Sequence, residues 1–149
     1  MARPYLGGSS AGVESITAAT TIGSSDHGKV FMVSYAATGS SLGSYQITIP
    51  TPANAGEGFS CKFIVSSATI ADEAGEDVVI NDGTDDTMVV NYIDAADSGA
   101  VSVVHDAAAD TVGFDNTAKK GDWIEIFTDG TTWYCNGQSG ADGGILVAT

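Results

Sequence analysis

Residues 121–137 read Gly-Asp-Trp-Ile-Glu-Ile-Phe-Thr-Asp-Gly-Thr-Thr-Trp-Tyr-Cys-Asn-Gly, and their pattern decides the fold class. Two runs rich in β-branched and aromatic residues flank Asp129-Gly130, a pair suited to the positive φ angles of a two-residue type I′ turn. A two-residue loop sets Thr128 opposite Thr131, Ile126 opposite Trp133 and Ile124 opposite Cys135. Alternation then places Ile124, Ile126, Trp133 and Cys135 on one face, with Trp123, Glu125, Phe127, Thr132 and Tyr134 on the other. Three aromatics therefore fall on the face expected to be wet. A strand pair with two apolar faces needs a second cover, which makes Trp123, Phe127 and Tyr134 the candidate subunit interface.

Outward from this hairpin, the same short-strand pattern recurs. Val30 to Tyr35 is a near-continuous apolar run, and Tyr45 to Ile49 alternates with Tyr45, Ile47 and Ile49 inward. Pro50 and Pro52 end that strand, because neither can donate to a ladder. Phe59, Cys61, Phe63 and Val65 alternate with Ser60, Lys62 and Ile64, and Val78 to Ile80 runs into Asn81-Asp82-Gly83, read as a second Asp-Gly hairpin. Met88 to Ile93, Val101 to Val104 and Thr111 to Phe114 follow, and Ile145-Leu146-Val147 closes a Gly-rich tail. No long segment has a 3.6-residue apolar period. The expectation is one all-β domain over residues 26–149, an antiparallel β-sandwich or β-barrel of about eight short strands. Residues 1–25, with Gly7, Gly8, Gly12 and a Ser/Thr/Ala-rich stretch, are expected to form an extended, flexible N-terminal arm. Its tip, Arg3, Pro4, Tyr5 and Leu6, is the candidate docking element.

The chain of 149 residues is 43% hydrophobic and only 16% charged, which excludes a disordered polyelectrolyte. Its net charge of -14 repels phosphate backbones and anionic lipid, so neither nucleic acid nor membrane is an expected partner. The first ten residues lack the apolar core of a signal peptide, and no apolar run approaches the ~20 residues of a membrane span. Synthesis in the cytoplasm is expected. Cys61 and Cys135 fall on apolar strand positions and are expected to be buried free thiols.

Constellations that carry chemistry are each incomplete. Gly23-Ser24-Ser25-Asp26-His27-Gly28-Lys29-Val30 approaches a phosphate-binding loop, but Val30 stands where a hydroxyl is needed and a strand follows where a helix is needed. Asp82, Asp85 and Asp86, and again Asp94 and Asp97, crowd turns without the order of an EF-hand. His27 and His105 lack the spacing of a zinc site, and His105-Asp106 has no nucleophile elbow to complete a triad. Asp122 and Glu125, three apart on a strand, face opposite ways and do not form a glycosidase pair. No catalytic residue, metal or cofactor is expected, and the protein reads as a non-enzyme.

Arg3-Pro4-Tyr5-Leu6-Gly7-Gly8-Ser9-Ser10-Ala11-Gly12, the strand ending at Ile49-Pro50 with Pro52-Ala53-Asn54-Ala55-Gly56 after it, Lys120-Gly121-Asp122-Trp123 and Gly130-Thr131-Thr132-Trp133-Tyr134 carry a resemblance. In this order the chain resembles small virion proteins of tailed bacteriophages, particularly marine phages, that decorate the capsid or build head fibres. The resemblance spans residues 3–137. It implies an all-β subunit, commonly trimeric, that binds the major capsid protein on the outside of the shell as a cement and performs no catalysis. The alternative it leaves open is a tail-fibre or head-fibre adhesin that binds a glycan or protein of the host surface.

Overall fold

A computed structural model of the chain describes residues 12–34, 44–67, 77–84, 88–95 and 101–149. Along them run β1 (Val13–Ile16), β2 (Thr20–Thr21), β3 (Val30–Val33), β4 (Tyr45–Thr48), β5 (Ser60–Val65), β6 (Val78–Asn81), β7 (Met88–Ala95), β8 (Val101–Ala109), β9 (Thr111–Phe114), β10 (Trp123–Thr128), β11 (Trp133–Gln138) and β12 (Ile145–Ala148). One short helix, α1 (Pro52–Ala55), starts at the proline that ends the preceding strand run. The strands form a seven-stranded sheet, β1-β3-β5-β10-β11-β7-β8, and a five-stranded sheet, β12-β9-β6-β4-β2. The two pack as an all-β sandwich, as expected.

The sheets are mixed, not purely antiparallel. From β1 to β7 the chain changes sheet at every strand. Each crossing reverses its direction and the second restores it, so strands returning to a sheet lie parallel to those already there: β1 to β3, β3 to β5, β2 to β4 and β4 to β6. Antiparallel pairing between consecutive strands occurs where the chain stays in one sheet, at β7/β8 and β10/β11. Asp82-Gly83 accordingly joins β6 of one sheet to β7 of the other and closes no hairpin. Its local chemistry matches that of Asp129-Gly130: Asp82 Oδ1 accepts from the N–H and the hydroxyl of Thr84 at 2.9 and 2.6 Å, as Asp129 Oδ1 does from Thr131 at 2.9 and 2.7 Å.

Residues 12–25 also depart from the expected flexible arm. They supply β1 and β2, and Ile16 and Ile22 are buried in the core. Both strands lie at sheet edges, where one apolar side chain per strand is enough; the Ser/Thr/Ala-rich stretch around them carries little periodic signal. Residues 3–6, the candidate docking tip, lie outside the described residues.

The core is filled from both sheets by Phe31, Phe63 and Trp133 on one side and Ile47, Ile80 and Phe114 on the other, all fully buried. Phe31 stacks on Phe63 at 5.3 Å, and Phe59 meets Trp133 edge-on at 5.8 Å. Where β9 pairs with β6, Gly113 lies opposite Val79, and a Cβ there would collide with the Val78 carbonyl. Cys61 and Cys135 are buried and free. Both are in register with Ile126, one from each side, which sets them two strand spacings apart, about 9.6 Å. A disulfide reaches only ~7 Å between Cα atoms. Burial pushes both thiols well above their ordinary titration range, to about 12 for Cys135.

Asp122, at the entrance to β10, is buried, and its carboxylate ties its own turn to the segment that follows β11. Oδ2 accepts from the Ser139 hydroxyl and the Lys119 N–H, both at 2.7 Å, and Oδ1 from the Gly140 N–H at 2.9 Å. Truncation would strand those donors out of water, at roughly 1–3 kcal/mol for each left unsatisfied. Asp122→Ala should lower the unfolding free energy by about 2–4 kcal/mol in a urea titration, and Asp122→Asn by distinctly less.

Candidate functional site

The Asp129-Gly130 loop is longer than expected. Thr128 pairs with Trp133, Ile126 with Cys135 and Ile124 with Gly137, so four residues, Asp129 to Thr132, close the hairpin. The cause is the Asp129 carboxylate: its Oδ1 collects Thr131 N–H, Thr131 hydroxyl and Thr132 N–H, and its Oδ2 accepts from the Tyr134 hydroxyl at 3.1 Å. Gly130 takes a positive φ, 91°, in this loop. The shift relative to a two-residue turn is two positions, an even number, so the faces are as expected. Ile124, Ile126, Trp133 and Cys135 are buried, while Phe127 is 42% exposed and Trp123 and Tyr134 are half-buried.

The new register gives each outward aromatic a partner within the chain. Phe127 lies directly opposite Tyr134 and stacks on it, with centroids 5.1 Å apart and planes at 17°. Trp123 faces Gln138, and the Lys62 ammonium lies 3.9 Å from the centroid of its indole ring. Phe127 with Tyr134 and Trp123 with Lys62 thus begin two cross-strand stripes on the outward sheet face.

Register extends these stripes across the seven-stranded sheet. One row runs Met32, Ile64, Trp123, Gln138, Ile93, Val103. The row beside it is polar: Lys62, Glu125, Asn136, Asn91, His105. His105 Nδ1 donates to Asn91 Oδ1 at 2.7 Å, which sets the direction of that carboxamide. Between the two rows, over β10, β11, β7 and β8, lies a shallow cleft of about 250 Å³ walled by Trp123, Ile93, Val103, Asn91, Asn136 and Gln138, with Tyr92 and Gly137 completing its lining. Sequence reading singled out Trp123 alone of these eight. The others come from three further strands, brought together only by a parallel pairing of β11 with β7 and by the β7/β8 hairpin.

The remaining chemical candidates are placed as follows. Lys29, which a phosphate-binding loop would need, is held by Asp26 at 2.7 Å and Glu14 at 2.9 Å. Asp26 also accepts from the Gly23 N–H, so the loop is closed on its own carboxylate. His27 lines a small pocket of about 130 Å³ with Ser24 and Glu57. Its Nδ1 accepts from the Ser60 N–H at 3.1 Å, which makes the neutral ring the Nε2–H tautomer and leaves it no basic nitrogen for a serine. Asp94 Oδ2 accepts from the Gly143 N–H at 2.7 Å, binding the C-terminal tail to β7. Asp85, Asp86 and Asp97 lie outside the described residues. Among the described residues no three of His, Cys, Asp and Glu gather as a metal site. Asp122 is buried and Glu125 exposed, so the two carboxylates do not converge.

No family model, no curated protein and no solved structure matches this chain.

The Asp129 loop has a pH signature. Hydrogen bonds from the Thr131 hydroxyl and then from the Thr131 and Thr132 amides hold its carboxyl at about 2, below the usual 3.8. A folded-state value below the unfolded one means that the contribution to stability is complete above pH ~4 and is lost as the pH falls through about 2. In a carboxyl-detected NMR titration, Asp129 should therefore give a midpoint near 2, with the Thr131 and Thr132 amide shifts moving alongside it. A Thr131→Val substitution should raise that midpoint towards the ordinary value.

Proposed function

We propose that this chain is a non-enzymatic structural subunit of a tailed-phage virion, a decoration or cement protein. It binds the major capsid protein on the outside of the shell, stabilises that shell, and does so as a homotrimer. The observation that carries the reading is the surface the lone chain leaves uncovered at the two edges of its seven-stranded sheet. At one edge β8 exposes Val101 and Val103, 69% and 75% accessible; at the other β1 exposes Val13 at 72%. Edge strands offer unpaired backbone N–H and C=O groups. They are commonly guarded by proline, lysine, an inward charge or a bulge; β8 has Asp106 opposite the buried Val90 and a bulge at that end, which leaves Val101 to Val104 as its unguarded stretch. A ring of three identical subunits requires two different patches on each, one fitting the other on its neighbour, and two unlike edges of one sheet meet that requirement.

Two further features agree with this reading. A net charge of -14 keeps a protein soluble at the high copy number of a capsid component. The resemblance to phage virion proteins runs through the residues of both hairpin strands and of the segment before β1.

Co-sedimentation with capsids lacking the protein, alongside a solution mass measurement, tests the proposal. The expected result is a species three times the mass of one chain that pellets with capsids. A monomer that ignores capsids and binds host cells instead would overturn it. Val101→Lys should abolish the trimer while leaving the monomer folded, since the side chain is exposed and a lysine at an edge opposes strand pairing. Deleting residues 1–11 tests the Arg3–Leu6 tip separately: capsid binding should weaken while the trimer persists.

A further inference from the structure

We infer that the cleft over β10, β11, β7 and β8 is a binding site for a neutral pyranose sugar. The inference gives the adhesin alternative a place and a ligand class, and it shares Val103 with the β8 edge of the capsid reading.

The walls of the cleft are of two kinds. Trp123, Ile93 and Val103 supply an apolar surface, and Asn91, Asn136 and Gln138 supply side-chain amides around it. Such a pairing suits a ligand that is itself two-sided. A pyranose presents C–H groups on a ring face, which pack against an aromatic platform, and a rim of hydroxyls, each both donor and acceptor. A carboxamide also carries both functions in one group, so amides match hydroxyls without a charge. Asn91 is oriented for this: its oxygen takes the His105 hydrogen bond, which leaves its NH₂ as the end that can donate to a ligand.

Charge narrows the class further. The chain carries 19 acidic residues, yet none of the residues lining this cleft is charged at neutral pH. Lys62 lies over the Trp123 ring and is not among the residues lining the cleft. An uncharged wall in an acidic protein favours a neutral ligand and disfavours sialic and uronic acids. The cleft volume, about 250 Å³, lies below the roughly 300–1,000 Å³ of sites for drug-sized molecules and suits one sugar ring of a longer glycan.

The test is saturation-transfer NMR on the full chain with methyl glucoside, methyl galactoside and N-acetylglucosamine, using glucuronic and sialic acids as anionic controls. At least one neutral sugar should bind saturably and perturb the fluorescence of Trp123, with the acids weaker. Trp123→Ala should weaken binding about tenfold or more. Asn136→Ala, which leaves the aromatic platform intact, should weaken it as well, and Phe127→Ala, in the neighbouring stripe, should leave it unchanged. Near-ultraviolet circular dichroism of the buried Trp133 checks that each variant is folded. The inference is overturned if no neutral sugar binds the folded wild-type chain, if binding survives both cleft substitutions in folded variants, or if the acids bind best. A protein that decorates capsids yet ignores every sugar would lose this inference and keep the other.

Discussion

Burial of one face of the β10/β11 hairpin is the constraint on which the rest of the sandwich depends. Ile124, Ile126, Trp133 and Cys135 form the centre of the seven-stranded sheet, with β5 joined on one side and β7 on the other. Because side chains alternate with a period of two, the face chosen here dictates the face of every strand in register with it. Cys61 and Phe63 of β5 and Met88 and Val90 of β7 are buried for the same reason. Fully burying side chains of this size contributes about 1.5–3 kcal/mol each, whereas the outward stripes contribute through pairwise stacking of about 0.5–1.5 kcal/mol. The inward face therefore sets the fold, and the outward face is available for recognition.

The distinction between face and register explains why some of this architecture is legible in the sequence and some is not. Apolar alternation identifies Ile124, Ile126, Trp133 and Cys135 as core under any register that differs by an even number of positions. The register itself rests on the loop, and there Asp129 outweighs the turn preference of Asp-Gly: four hydrogen bonds to one carboxylate hold a four-residue connection. That two-position shift brings Phe127 against Tyr134 and Trp123 against Gln138. The aromatics that looked uncovered in a two-residue hairpin thus find partners across the strands, and the most exposed apolar side chains are at the edges, Val13, Val101 and Val103, with Phe127 and Ile93 less so.

Asp82-Gly83-Thr84 and Asp129-Gly130-Thr131 make the same point from the opposite direction. Both carboxylates accept from the amide and hydroxyl of the threonine two residues on, so the local turn chemistry is shared. One closes a hairpin and the other carries the chain between sheets. The Asp-Gly-Thr triplet is the same in both. What differs is where the following strand finds an unpaired neighbour: β7 lies parallel to β11, a strand that follows it in sequence by more than forty positions, and not beside β6. The proposed sugar cleft depends on that long-range choice, since Asn136 and Gln138 meet Asn91, Ile93 and Val103 only through it.

By itself the sequence determined the class of structure, the inward residues of the central hairpin and of the strands at 45–49 and 59–65, and the buried state of both cysteines. All of these follow from alternation, turn chemistry and the types of residue at short spacing. Only the tertiary structure decided that the sheets are mixed, that residues 12–25 join them, that Asp122 ties the turn before β10 to Ser139 and Gly140 from the inside, and that eight residues of four strands share one cleft. Those features depend on which strands lie side by side, and that is settled by the joint packing of two sheets around one core, where the pairing of any strand is conditional on all the others.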